Sequence, residues 1–259
     1  MRTIKLESTI WKKVRKILEE RHDVYIGNEF KTKRFIEGVL WITRTGSQWR
    51  YLPKTYGKWN SVFKRFTRWS AKGIWESVFE VAADDPDLEN LILDSTIVRA
   101  HSCAAGALKE DESYYLVETD DTQHLGRSVG GHSTKIHAAV DALGNPLRYL
   151  LTAGQYHDVP LAEQLIAGIQ ADAILCDKAY DKDEFVDNIH QRGSQVVIPP
   201  KSSRLDPRDC DYLLYKERHL VECFFNKLKR YRRIFSRFDK LARNYLSFIY
   251  LASIVFWLK

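Results

Sequence analysis

LILDSTIVRA, residues 91–100, is where the chain changes its period. Before it, apolar residues recur at helical spacing. From Leu91 onward a run rich in β-branched residues reads as a largely buried strand. An aspartate, Asp94, stands inside that run. A second run, AILCD at 173–177, ends on Asp177. An isolated ionised carboxylate in an apolar run is costly, because desolvation penalises its charged form. A hydrogen-bonded cap, an arginine or a cation must compensate. For either aspartate alone a structural role is the better reading.

Working outward, the first 85 or so residues read as helices: Ile4 to about Glu20, Lys31 to Arg44, then a break at TGSQWRYLPKTYGKW. After the break Val62, Phe66 and Trp69 form a stripe, with Lys64, Arg65 and Arg68 turned away from it. Gly73 separates this segment from IWESVFEVAA. Short helices with a basic member suit a helix-turn-helix-like DNA reader, and equally a small bundle with a solvated basic face. The acidic stretch ADDPDLEN (83–90) marks a boundary, giving a helical domain over 1–85 and a second domain over 86–259. Beyond it the order is strand (91–100), hairpin (134–144 into LRYLLTAG), helix over VPLAEQLIAGI, strand (173–177), helix (183–192), strand (SQVVIPP) and a long helix. That order predicts an α/β layer with a mixed sheet. Asp158 is expected to cap the helix that starts at Val159–Pro160. His157 beside it stays open between packing and the site. The segment 102–133 lacks periodicity and reads as a long connection.

The long helix begins YKERHLVECFFNKLK (215–229). At about 100° per residue, Tyr215, Arg218, Glu222 and Lys229 fall within roughly 60° of one another. Two aspartates on neighbouring strands and Glu222 on this helix make three convergent carboxylates. These repel unless positive charge lies between them, and hard divalent cations with oxygen ligands meet that need. Two such ions about 4 Å apart can assist both the attacking and the leaving oxygen of a phosphodiester. Arg218 and Lys229 would then hold phosphates, and Tyr215 would stack on a base or bond a phosphate. The plainer alternative is an ordinary surface pair between Arg218 and Glu222.

The composition agrees with a basic globular protein: 259 residues, 44% apolar, 29% charged, formal charge +6, with pI about 9.0. The positive excess favours a polyanionic partner, most simply nucleic acid. The four cysteines form no CxxC pair, which speaks for a reducing cytoplasm. No signal peptide is legible, and YLSFIYLASIVFWLK reads as a buried terminal helix rather than a membrane span.

The spacing Tyr215–x2–Arg218–x3–Glu222–x6–Lys229 resembles the signature around the third catalytic residue of bacterial DDE transposases. LDSTIVRAH, GGHSTKIHAAVDALGNPLRYLLTAGQYHD, DKAYD and ERHLVECFFNKLKRYRRIFSRFDKLARNY resemble the insertion-sequence transposases of the IS-five family, within the broader IS-four-like group. VLWITRTGSQWRYLPKTYG resembles the leading helical domain of that family. The resemblance implies a ribonuclease H-like sheet with Asp94 on its first strand, Asp177 ending its fourth and Glu222 on a late helix. It implies that these three bind two magnesium ions, with manganese able to substitute. It further implies binding to the terminal inverted repeats of an insertion sequence, water-driven cleavage at the ends, and attack of the freed 3′-hydroxyl on target DNA. The expected partners are double-stranded DNA and a second copy of the chain. The expected place is the nucleoid of a bacterial cytoplasm. Tyr215, Arg218, Lys229, Lys64, Arg65 and Arg68 are the expected DNA contacts. Two other functions remain: a nuclease of the same fold that cuts without joining, and a domesticated or non-catalytic DNA-binding protein.

Other signals carry little. GGHSTK (130–135) lacks the order of a phosphate-binding loop. His101, Cys103, His132 and His137 match no common zinc spacing. Glu110, Asp111, Glu112, Asp120 and Asp121 fit a solvated loop better than a ligand set. The basic run KLKRYRR (227–233) is read as continuing the Glu222 helix toward DNA.

Overall fold

The computed structural model describes residues 4–105, 123–128 and 131–258; the acidic stretch from Glu110 to Asp121 lies outside them. The described residues pack as two compact units. One comprises residues 1–84, 99–124 and 228–259, the other 85–98 and 125–227.

The first unit is helical. In α1 (Ser8–Glu19) the buried residues Ile10, Trp11, Val14, Ile17 and Leu18 follow helical spacing. α2 (Glu29–Thr45) is capped by Asn28, whose side chain accepts from the Lys31 N–H. It ends at Gly46, at φ +67°. A Cβ there would lie 2.9 Å from Arg232 Cβ, so both the left-handed backbone and the close approach require glycine. α3 (Trp59–Ala71) buries Val62, Phe66 and Trp69, and α4 (Ile74–Ala82) follows Gly73. α9 (Ala242–Trp257) is buried on most sides and packs against α2, α3 and α4. Phe66 stacks on Phe248 at 4.5 Å between centroids. The terminal apolar stretch is thus core, and among the described residues no helix is long and apolar enough to cross a membrane. A linear boundary at residue 85 therefore does not follow the packing, in which 228–259 joins the amino-terminal helices.

The second unit is built on a sheet. β1 (Asn90–Ala100) pairs in parallel with β5 (Ala173–Leu175), which pairs in parallel with β6 (Gln195–Val197). On its other side β1 neighbours β3 (Gly131–Val140). β3 forms an antiparallel hairpin with β4 (Pro146–Ala153). β2 (Gly126–Ser128) is a short addition to β3. The order β4-β3-β1-β5-β6, a hairpin on one side of the first strand and parallel strands on the other, is the ribonuclease H-like arrangement. The last residues of β1, Arg99 and Ala100, lie in the first unit and pair with β7 (Ser236–Arg237).

Asp141 fixes the hairpin turn by accepting from the Leu143 and Asn145 N–H groups at 3.0 and 2.7 Å. Helices α5 (Val159–Ile166) and α6 (Asp183–Gln191) share a core with Leu91, Leu93, Ala139, Ile174 and Cys176. Alternation along the strands therefore sends Ile92, Asp94, Leu175 and Asp177 to the opposite face.

Candidate active site

That alternation assembles the site. The parallel register pairs Ile92 with Leu175. Two residues further along each strand stand Asp94 and Asp177, side by side on one face. Asp177 has already left β5 and opens a 3-10 turn, Lys178–Tyr180, with its Oδ1 accepting from the Ala179 N–H at 2.7 Å. On the same face lies α7 (His219–Leu228), whose Phe224 ring meets that of Tyr149 at 6.1 Å. Glu222 is on its first turn.

One guanidinium ties two of the carboxylates together. Arg218 Nη1 lies 3.0 Å from Asp94 Oδ2, and Nη2 lies 3.0 Å from Glu222 Oε1. Its Nε donates to the Tyr215 hydroxyl at 3.3 Å. Asp94 Oδ1 accepts from the Ser95 N–H at 2.8 Å. Burial pushes the Asp94 carboxyl above its ordinary range, and the charges of Asp177 and Glu222 push the same way, against Ser95 and Arg218. The three carboxylates thus share one electrostatic field. The buried Tyr180 hydroxyl, which has no hydrogen-bond partner among the described residues, is driven up by burial and by Cys176, Asp158, Asp94 and Asp177.

Behind β1, on the α5 face, sits a second charged cluster, built around one carboxylate. Asp158 occupies the position before α5, but its side chain makes no cap bond. This corrects the expectation of a helix cap. Its Oδ1 instead accepts from Lys135 Nζ at 3.0 Å and lies 3.2 Å from His137 Nδ1. His137 Nδ1 has no hydrogen-bond partner among the described residues, so this approach counts as an electrostatic contact. His137 Nε2 meets Thr152 Oγ1 at 2.8 Å. Burial alone would raise Asp158, but His137, Lys135 and the Ser95 side chain outweigh it and hold the carboxyl at about 2. Ser95 therefore touches both systems: its N–H meets Asp94 in front, and its side chain meets Asp158 behind.

The single helix expected over 215–229 divides. Tyr215 and Arg218 belong to a 3-10 turn, Leu214–Arg218, and α7 ends before Lys229. The basic run does not extend the helix. The chain turns at 229–230 and restarts as α8 (Arg232–Phe235), which lets Tyr231 and Ile234 be buried while Phe235 stays exposed. Lys229 is grouped with the first unit. So are the basic residues of α3, where Lys64 and Arg68 are exposed. Arg65 is not on an outward face: its guanidinium lies 4.5 Å from the Phe35 ring and 4.9 Å from that of Trp69. His157 is exposed.

Sequence reasoning missed Ser95, Lys135 and His137 as neighbours of the site. It also missed Asp181, which is buried and accepts from Arg204, Arg208 and the Lys201 N–H, pinning the loop before α7. The closing Asp of DKAYD was the available signal for that residue.

The donor set is all carboxylate oxygen, the chemistry of hard divalent cations. Among the described residues no three His, Cys, Asp or Glu side chains stand close enough to hold an ion as they are. Arg218 occupies the space between Asp94 and Glu222. The residues fit such a cation by charge and type, with Arg218 as the present counter-charge.

Known families match both the amino-terminal helices and the sheet-bearing part of the chain. The family described as "Putative transposase of IS4/5 family" matches residues 6–79, and "Transposase DDE domain" matches residues 85–257. The "Putative transposase for insertion sequence element IS6501" of Brucella ovis is 42% identical over 131 residues, 49% of this chain and 99% of that protein. The protein y4sN of Sinorhizobium fredii is 37% identical over 97 residues, 38% of this chain and 78% of that protein. Among solved structures, the piggyBac transposase synaptic complex with hairpin DNA aligns with TM-score 0.41 and 14% identity. That alignment covers 76% of this chain and 48% of the piggyBac chain, so this protein spans about half of its length. With both family models matched, the second over more than half of its length, the chain belongs to the DDE transposases of the IS4/5 family.

Proposed function

We propose that the protein moves an insertion sequence: it binds the terminal inverted repeats, cleaves at the element's ends and transfers the freed 3′-hydroxyl to target DNA. Asp94, Asp177 and Glu222 are the catalytic carboxylates and would hold two magnesium ions, with manganese as a substitute. The observation that carries the reading is the Arg218 guanidinium, 3.0 Å from both Asp94 and Glu222, on the sheet face where Asp177 neighbours Asp94.

Bound divalent cations supply positive charge to the attacking and leaving oxygens of a phosphodiester. The chain's residues do the rest. Arg218 leaves its carboxylate partners and takes a phosphate oxygen, for which its fork is suited. Tyr215, freed from Arg218, bonds or stacks beside it. Ser95 holds the Asp94 carboxylate in one orientation. Hydrolysis and strand transfer share one in-line displacement, so one site serves both.

Lys64, Arg65, Arg68 and Lys229 contact DNA. The helices of residues 1–85 read the ends in a helix-turn-helix-like manner, and the carboxylate-bearing sheet unit carries the chemistry. A homodimer holds two ends together, in the nucleoid of a bacterial cytoplasm.

The test is incubation of the full chain with magnesium and DNA carrying the flanking repeats of the native gene. Cut ends followed by joined product support transposition. Cut ends without joining leave a nuclease. Repeat binding without cutting leaves a DNA-binding protein.

A further inference from the structure

The first unit contains a cleft of about 530 Å³ between the α1–α2 connection, the start of α2 and the last turns of α3. Its lining includes Lys31, Arg65, Arg68 and Lys72. Among the described residues no carboxylate lies within ion-pair distance of any of them. The one acid in the lining is Asp23. It is already bound by Arg21 through two hydrogen bonds of 2.9 and 3.0 Å. Lys72 Nζ also reaches the Asp23 backbone oxygen at 3.4 Å, and its charge favours the Asp23 carboxylate. The cleft therefore holds four cations against one acid, which Arg21 and Lys72 share.

Arg65 makes the imbalance costly. Its guanidinium is half-buried over Phe35 and Trp69, and its Nη2 donates to Thr32 Oγ1 at 2.9 Å. Burial and the nearby Arg68 both work against its charge. The aromatic faces and Thr32 fix the fork in one orientation, which lowers the entropy lost when an anion binds. The amino end of α2 borders the cleft through Asn28 and Lys31, but Asn28 Oδ1 already takes the Lys31 N–H and Glu29 stands in the first turn, so the cleft's positive charge comes from its side chains. Tyr25, 89% exposed, stands at the rim. The volume exceeds that of one phosphate and suits a short length of sugar–phosphate.

We propose that this cleft is a phosphate-binding site that holds a backbone phosphate of DNA. The phosphate chemistry rests on the cleft alone; DNA as its source rests on the transposase reading.

The test uses the full chain and two exposed lining residues that are not part of the core. Arg68→Gln with Lys72→Gln is compared with Lys12→Gln with Lys13→Gln, an exposed pair on α1 outside the cleft. A fluorescent random-sequence duplex is titrated at several salt concentrations, and thermal stabilisation by pyrophosphate is measured in parallel. The cleft pair is expected to lose about tenfold in duplex affinity and about 1 to 2 in the log–log salt slope. It should also lose the pyrophosphate shift, while the α1 pair keeps all three. Unchanged duplex affinity and slope in the cleft pair overturn the DNA assignment, even if the pyrophosphate shift is lost. Pyrophosphate stabilisation unchanged in the cleft pair overturns the phosphate site itself. A wild-type chain that binds no duplex, yet is stabilised by pyrophosphate through Arg68 and Lys72, sinks the transposase reading and keeps the phosphate site.

Discussion

The carboxylate site of the sheet unit and the basic cleft of the helical unit are opposites in charge and in construction. The first brings Asp94, Asp177 and Glu222 from three distant segments to one sheet face, with Arg218 between Asp94 and Glu222. The second gathers Lys31, Arg65, Arg68 and Lys72 from within residues 31–72, with its one acid already taken by Arg21. Neither balances its charge internally. A site that must hold ions in a fixed geometry needs the rigidity of paired strands and a packed helix. A site that grips a backbone without reading sequence can be built from one local helical turn and its neighbour.

The largest effect that separates the two is in catalysis. Asp177→Asn or Glu222→Gln should lower end cleavage by at least about a thousandfold, with duplex affinity within about twofold of wild type. Gel assays of cleavage and binding on the same preparation read both. A variant that loses binding together with cleavage would erase the division of labour.

Arg218 comes next. Arg218→Gln removes the cation between Asp94 and Glu222. The DNA-free protein should then bind magnesium about fivefold more tightly, equivalent to about 1 kcal/mol, as read by calorimetry, while cleavage falls. Weaker magnesium binding would make Arg218 a support for the carboxylates rather than a stand-in for the ion.

The carboxylate behind β1 predicts a pH effect of known sign. Asp158 is held at about 2, below its unfolded value. It therefore binds fewer protons folded than unfolded. Its contribution is complete above about pH 4 and lost as pH falls toward 2. Allowing for solvent screening of a partly exposed group, that contribution is about 1 to 2 kcal/mol. Denaturant melts should show Asp158→Asn less stable than wild type at neutral pH and converging with it in acid. Parallel curves would mean that Lys135 and His137 do not bind it as described.

The smallest effect concerns Tyr180. Tyr180→Phe removes a hydroxyl with no partner among the described residues and should change stability by less than about 1 kcal/mol. Lost cleavage at unchanged stability would show that the hydroxyl serves the front of the site.

What the sequence made legible follows the range of the interactions. The strand at LILDSTIVRA, the hairpin after Thr134 and the stripe of Val62, Phe66 and Trp69 are local patterns, and each forms as read. The likeness of the carboxylate triplet to a family signature was equally plain. Asp158 was misread because its position before Val159–Pro160 is a local capping signal, whereas its partners lie on other strands. The row from Tyr215 to Lys229 was read as one helix because helical spacing continues through it. The chain instead uses a 3-10 turn to bring Arg218 to Asp94, and breaks after Leu228 to bury Ile234. Arg65 was placed outward by its spacing, yet Phe35, on a different helix, draws it inward.

The most direct measurement is anomalous diffraction from crystals of the full chain soaked in manganese. The predicted map has manganese touching Asp94, Asp177 and Glu222, with Arg218 withdrawn from between Asp94 and Glu222. Arg218 still bridging those two carboxylates, with manganese bound elsewhere or nowhere, would contradict the account.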